Sequence, residues 1–115
     1  MAVTAESSGT QTAVIGTEHF VDDVPTTGVF TWHVDTVNLA DGDVVELRVY
    51  QMVLTAGTAR VAYLMIYYGN QPTDDEIKIS VPISNELGDA TSLRFSLKQT
   101  FGTGRSFPWK VLRHA

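Results

Sequence analysis

The sequence predicts an all-β fold, a single antiparallel β-sandwich or flattened barrel of about seven strands. Three observations carry that prediction. Apolar and polar residues alternate over short runs, as in Val45, Leu47 and Val49 against Glu46, Arg48 and Tyr50, the period of two that turns one face of a strand toward a core. Clusters of Gly, Asp, Asn and Pro separate the runs, and these residues reverse a chain. No stretch sustains the period of a helix.

The strongest element is the hairpin from Asp41 to Tyr68. Its first run alternates cleanly. Its second, Val61 to Tyr68, is apolar on both faces, and a strand covered on both sides belongs at the centre of a sandwich or has its outer face against another surface. Thr55-Ala56-Gly57-Thr58 forms the reversal, with glycine supplying the backbone freedom of a tight turn. The alternation of Val45, Leu47 and Val49 carries Gln51 inward, yet Met52 and Leu54 are the next apolar pair. A β-bulge near Tyr50 and Gln51 resolves the conflict.

The other elements follow in chain order. Residues 1–12, MAVTAESSGTQT, are small and polar, and are read as a flexible N-terminal arm ahead of a sandwich domain over 13–115. The alternative is an arm that orders against a neighbouring subunit. Ala13 to Val21 is a strand stopped by Asp22-Asp23-Val24-Pro25. Gly28 to Val37 sets Phe30, Trp32 and Val34 on one face and Thr31, His33 and Asp35 on the other. Asn38 to Asp43 turns the chain, and Gly69 to Asp75 is a polar, exposed loop. Glu76 to Val81 is a short strand with Ile77, Ile79 and Val81 inward, held to an edge by Pro82. Ile83 to Thr91 is a loop. Thr91 to Thr100 presents Leu93, Phe95 and Leu97 to the core, Phe101 to Arg105 reverses, and Ser106 to Arg113 returns with Phe107, Trp109 and Val111 inward.

Composition narrows the function. At 115 residues, with 43% apolar and 18% charged, the chain builds one well-cored domain rather than a disordered segment or a membrane span. Residues 1–10 include Glu6 and no apolar run, so synthesis in a cytoplasm is expected. Cysteine is absent, which excludes disulfides, thiolate zinc sites and cysteine nucleophiles. The net charge of −5 and scattered basic residues argue against nucleic acid as a partner.

Each grouping that invites chemistry has a simpler reading. Asp41-Gly42-Asp43 suggests calcium, but no acidic residue follows at the twelfth position of a binding loop, and Asp-Gly is turn chemistry. Asp22-Asp23 and Asp74-Asp75 are solvated loop acids. His19 and His33 share a face if the first two strands pair, yet no third ligand stands at a defined spacing, and His114 lies far along the chain. No serine sits in a nucleophile elbow. Gly102-Thr103-Gly104 precedes no helix and is a hairpin turn. Tyr63, Tyr67 and Tyr68 with Trp32 and Trp109 form either a sugar-stacking platform or core and subunit contacts. No catalytic residue, metal ligand or cofactor is assigned, and the chain is read as a non-enzyme.

DGDVVELRVY (Asp41 to Tyr50), GTARVAYLMIYYG (Gly57 to Gly69) and KQTFGTGRSFPWKVLR (Lys98 to Arg113) resemble a group of small β-rich virion structural proteins of tailed bacteriophages. The likeness runs from Gly16 to Arg113. It implies a capsid decoration or cement protein on the outside of the head, with a tail or adaptor position as a variant. The implied partners are the major capsid protein and copies of the chain itself in a homo-oligomer, with neither nucleic acid nor membrane. Tyr63, Tyr67 and Tyr68 are the candidate interface residues. The competing function is a carbohydrate-binding β-sandwich module for host attachment.

Overall fold

The computed structural model describes residues 2–114. Nine strands alternate between two antiparallel sheets: β1 (Val3–Thr12), β2 (Glu18–Val24), β3 (Gly28–Asp35), β4 (Val44–Gln51), β5 (Arg60–Tyr68), β6 (Ile77–Ile79), β7 (Ile83–Asn85), β8 (Leu93–Phe101) and β9 (Ser106–His114). Sheet A has the order β1-β9-β3-β6, with β7 pairing the other end of β3; sheet B has the order β2-β8-β4-β5. The predicted all-β sandwich is what forms.

The period-two pattern explains the core. Phe30, Trp32 and Val34 of β3, with Phe107 and Val111 of β9, face Val45, Leu47 and Val49 of β4 and Leu93, Phe95 and Leu97 of β8, all of them buried. Trp32 meets Phe95 across the two sheets with ring centroids 5.4 Å apart. Each such fully buried side chain contributes about 1.5–3 kcal/mol. The β4–β5 ladder shifts at Ala62 of β5, between Val49–Tyr63 and Tyr50–Val61, and not at the predicted bulge near Tyr50 and Gln51, since β4 keeps its register with β8 to its end at Gln51. Beyond it Met52 turns inward, whereas Leu54 is exposed.

Four expectations are corrected. Residues 3–12 are not a flexible arm: they form β1, paired with β9 from Val3–His114 to Thr12–Ser106. A strand with little apolar content is held there by ladder hydrogen bonds to β9. The next strand starts later than predicted, at Glu18 and not Ala13, because Gly16 takes a positive φ of 83° and turns the chain first. A three-residue strand, β7, replaces part of the predicted loop after Pro82, with Ile83 and Asn85 inward. In the β4–β5 reversal Ala56, not Gly57, adopts the left-handed conformation, at φ 64°. Gly57 is needed for a different reason, since a Cβ there would come within 2.9 Å of the Leu54 carbonyl oxygen.

The ends of β4 and β8 are tied together by buried polar groups. Asp43 accepts hydrogen bonds from the Ala40 amide (2.9 Å), the Thr103 amide (3.2 Å) and the Arg105 Nε (2.7 Å). Gln99, fully buried, donates to the Phe101 and Thr103 carbonyls and accepts from the Arg105 amide. Gly102 lies against the Asp43 carboxylate at φ 92°, where any side chain would collide with it. Burial opposes ionisation of Asp43, but Arg105 and the two amides outweigh it and hold the carboxyl below its usual value. Asp41-Gly42-Asp43 is therefore a turn clamp.

Candidate functional site

Of the two readings of β5, a central strand or one with its outer face against another surface, the central one is excluded, because β5 lies at the edge of sheet B. It pairs with β4 alone among the described residues. Met65 is buried, and Tyr63 and Tyr67 pack on the core, so the alternate residues face away from the molecule. On that outer face Leu64 is 47%, Ile66 40% and Tyr68 70% exposed. The apolar character on both faces thus has two causes, a core on one side and an open surface on the other.

Of the three candidate interface tyrosines, the structure leaves only Tyr68 outward. Tyr67 donates its hydroxyl to the Met65 sulfur and lies 4.8 Å from the Lys78 ammonium. Burial raises the Tyr67 pKa, with Tyr63 and Asp75 adding to the shift. Leu64 and Ile66, which the sequence reasoning did not single out, hold the outer positions. The signal was available, since they alternate with Met65 opposite Arg48 and Glu46 of β4.

The neighbouring outer surface of sheet B behaves differently. Glu18 of β2 accepts from the Tyr50 hydroxyl and the Ser96 hydroxyl, both at 2.6 Å, and lies 3.6 Å from Arg48, which also pairs with Glu46. Burial works against the charge on Glu18, but the Ser96 and Tyr50 hydrogen bonds and Arg48 prevail and lower its pKa. Arg94 pairs with Asp23 at 2.7 Å and covers the Phe20 ring at 3.9 Å. These groups satisfy one another across β2, β8 and β4, whereas the row on β5 has no covering side chain among the described residues.

Other groupings do not assemble. His19 accepts from the Val14 amide beside sheet B, while His33 lies on the outside of sheet A, where Thr31 bridges it to His114 at 3.0 and 2.9 Å. The pair that forms is thus His33 with His114, not His19 with His33. Burial lowers the His33 pKa, with Lys110 and His114 adding to it. Among the described residues no group of three or more His, Cys, Asp or Glu is arranged to hold a metal ion. The five aromatics proposed as a sugar platform are split: Trp32 is fully buried, Trp109 packs on the core from sheet A, and the tyrosines belong to β5. A trough of about 350 Å³ crosses the outside of sheet A, lined by His33, Asp35, Ile77, Pro108, Trp109 and Lys110.

Comparisons of the chain with protein-family models, with curated proteins and with solved structures return no match.

Proposed function

We propose that this chain is a virion structural protein, a decoration or cement protein of a tailed-phage head, that works by contact and not by chemistry. The observation that supports this reading is the outer row of β5. Leu64, Ile66 and Tyr68 stand on a regular strand, backed by a packed core, so docking them costs little ordering entropy. Burying such side chains against apolar surface on a capsid stabilises the assembled lattice by mass action, because the protein binds the assembled form and not its separated parts. The sequence resemblance to phage head proteins points the same way. Val3 to Thr12 has no part in this contact as a free arm, since β1 is integral to sheet A; Met1 lies outside the described residues.

The test uses capsids of the encoding phage, purified and stripped of this protein. Co-sedimentation of the full chain with them is expected to saturate at a fixed stoichiometry. Ile66→Glu is expected to abolish binding, while Ile79→Glu, a change at a more exposed position on the opposite sheet, leaves it intact. Equal binding by wild type and Ile66→Glu would overturn the reading. Both variants are first checked for native circular dichroism.

A further inference from the structure

We propose that two copies of this chain join along β5, antiparallel and edge to edge, so that two sheets B run on as one continuous sheet. The inference deepens the contact reading of β5 and assigns its free edge to a second copy.

The first argument is a contrast between edges. On the side away from β4, the nine residues of β5 carry backbone donors and acceptors with no strand against them among the described residues, a template for another strand. The other three edges are blunted. β1 is polar, with a bulge between Ala5 and Ser7, and is tied to β2 by Ser7–Asp22 and Thr26–Glu6 hydrogen bonds. β2 carries Asp22 and Asp23 and its own bulge. β6 and β7 are three residues each, interrupted by Pro82, with Lys78 pointing inward. β5 has one bulge, at Ala62 near its start, and none of these devices from Tyr63 to Tyr68.

The second argument is self-complementarity. A twofold axis perpendicular to the sheet keeps outward residues on one side, and so pairs residues of like parity. Centred on Leu64, it sets Leu64 beside its own copy and Tyr63 beside Met65, with the bulged Ala62 opposite Ile66. The exposed Leu64 side chains then meet at the axis. The third argument is charge. Arg60 is the one charged residue of β5 and stands at its start. Beside the other end lie Asp41, which accepts from the Asn70 amide at 3.5 Å, and Asp75, which pairs with Lys78 next to Tyr67. Antiparallel pairing brings each cationic end to the partner's acidic end; parallel pairing in register would set Arg60 against Arg60.

Analytical ultracentrifugation of the full chain tests this, with native fold checked by circular dichroism and thermal melting. The wild type is expected to sediment as a dimer. Leu64→Glu and Leu64→Lys should each weaken dimerisation by about tenfold or more, since each places like charges directly opposite at the axis. An equimolar mixture of the two should regain dimers, which only a Leu64-to-Leu64 register predicts. A monomeric wild type, an undiminished Leu64→Glu dimer, or a mixture that stays monomeric would each overturn the pairing. A monomer that still binds capsids through Ile66 overturns the pairing and keeps the docking function; a dimer that ignores capsids does the reverse.

Discussion

β5 and β6 face each other across the same side of the sandwich, one from each sheet, and they meet the problem of being an edge in opposite ways. In β6 the apolar residues point out and the charged one in: Ile77 and Ile79 are 51% and 55% exposed, while Lys78 is 6% exposed. This reverses the phase expected from the sequence, which put Ile77, Ile79 and Val81 inside. The lysine is accommodated because its ammonium reaches the Asp75 carboxylate at 3.0 Å, the Asp75 carbonyl at 2.7 Å and the Tyr67 ring, while its aliphatic stem lies in the apolar layer. An inward charge on a short strand discourages a further strand from adding. β5 is three times as long, nine residues against three, and keeps its apolar phase inward and outward alike. The difference indicates that one edge is closed to partners and the other left open to them.

Several substitutions would break or sharpen this contrast. The largest effect is expected from Met65→Lys, which copies the inward lysine of β6 into β5 without its carboxylate; loss of a core side chain and burial of a charge should cost about 3 kcal/mol, read by urea denaturation. Next comes Asp43→Ala, because the Asp43 carboxylate joins the turn before β4 to the turn after β8. Losing its carboxylate leaves two amides and Arg105 without their acceptor, at about 2 kcal/mol.

The same carboxylate predicts a pH dependence. The folded pKa values of Asp43 and Glu18 lie below their ordinary ones, so their stabilisation is complete above about pH 5 and fades as pH falls through the lowered values. The stability gap between wild type and Asp43→Ala should therefore narrow in acid, and a gap that stays constant in urea melts at pH 6 and pH 3 would count against the clamp.

Lys78→Met should change stability by less than about 1 kcal/mol, since an apolar side chain of similar length replaces a buried ion pair. Its signature would be new self-association by light scattering, through an edge no longer guarded. Ile79→Glu is the smallest change, expected within about 0.5 kcal/mol of wild type in thermal melts.

The parts of the fold that were legible are those where apolar alternation and burial coincide. Phe30, Trp32 and Val34, Val45 to Val49, and Leu93 to Leu97 announce their inward faces, whereas the phase conflict at Gln51 pointed to a bulge in β4 and the extra residue is Ala62 of β5. β1 was not, because VTAESSGTQT carries no alternation and owes its place to pairing with β9. Lys78 hid the phase of β6, since its partners come from Asp75 and from Tyr67 of the other sheet, which only the fold brings near. The apolar excess of β5 was visible as excess. Its assignment to an exposed edge was not, because a strand buried on both sides and one with an unmet surface read alike in sequence.

The position of β9 bears on how the molecule comes together. β1 and β3 hydrogen-bond to opposite sides of it, so sheet A has no continuous form until the ninth strand has left the ribosome. Val3 must wait for His114. Sheet B has all its strands one element earlier, when β8 emerges, and the β4–β5 hairpin is local enough to close before that. During synthesis the open strand is therefore present before the rest of the protein can shield anything, and a nascent chain that met a sister copy at β5 would assemble before it had finished folding.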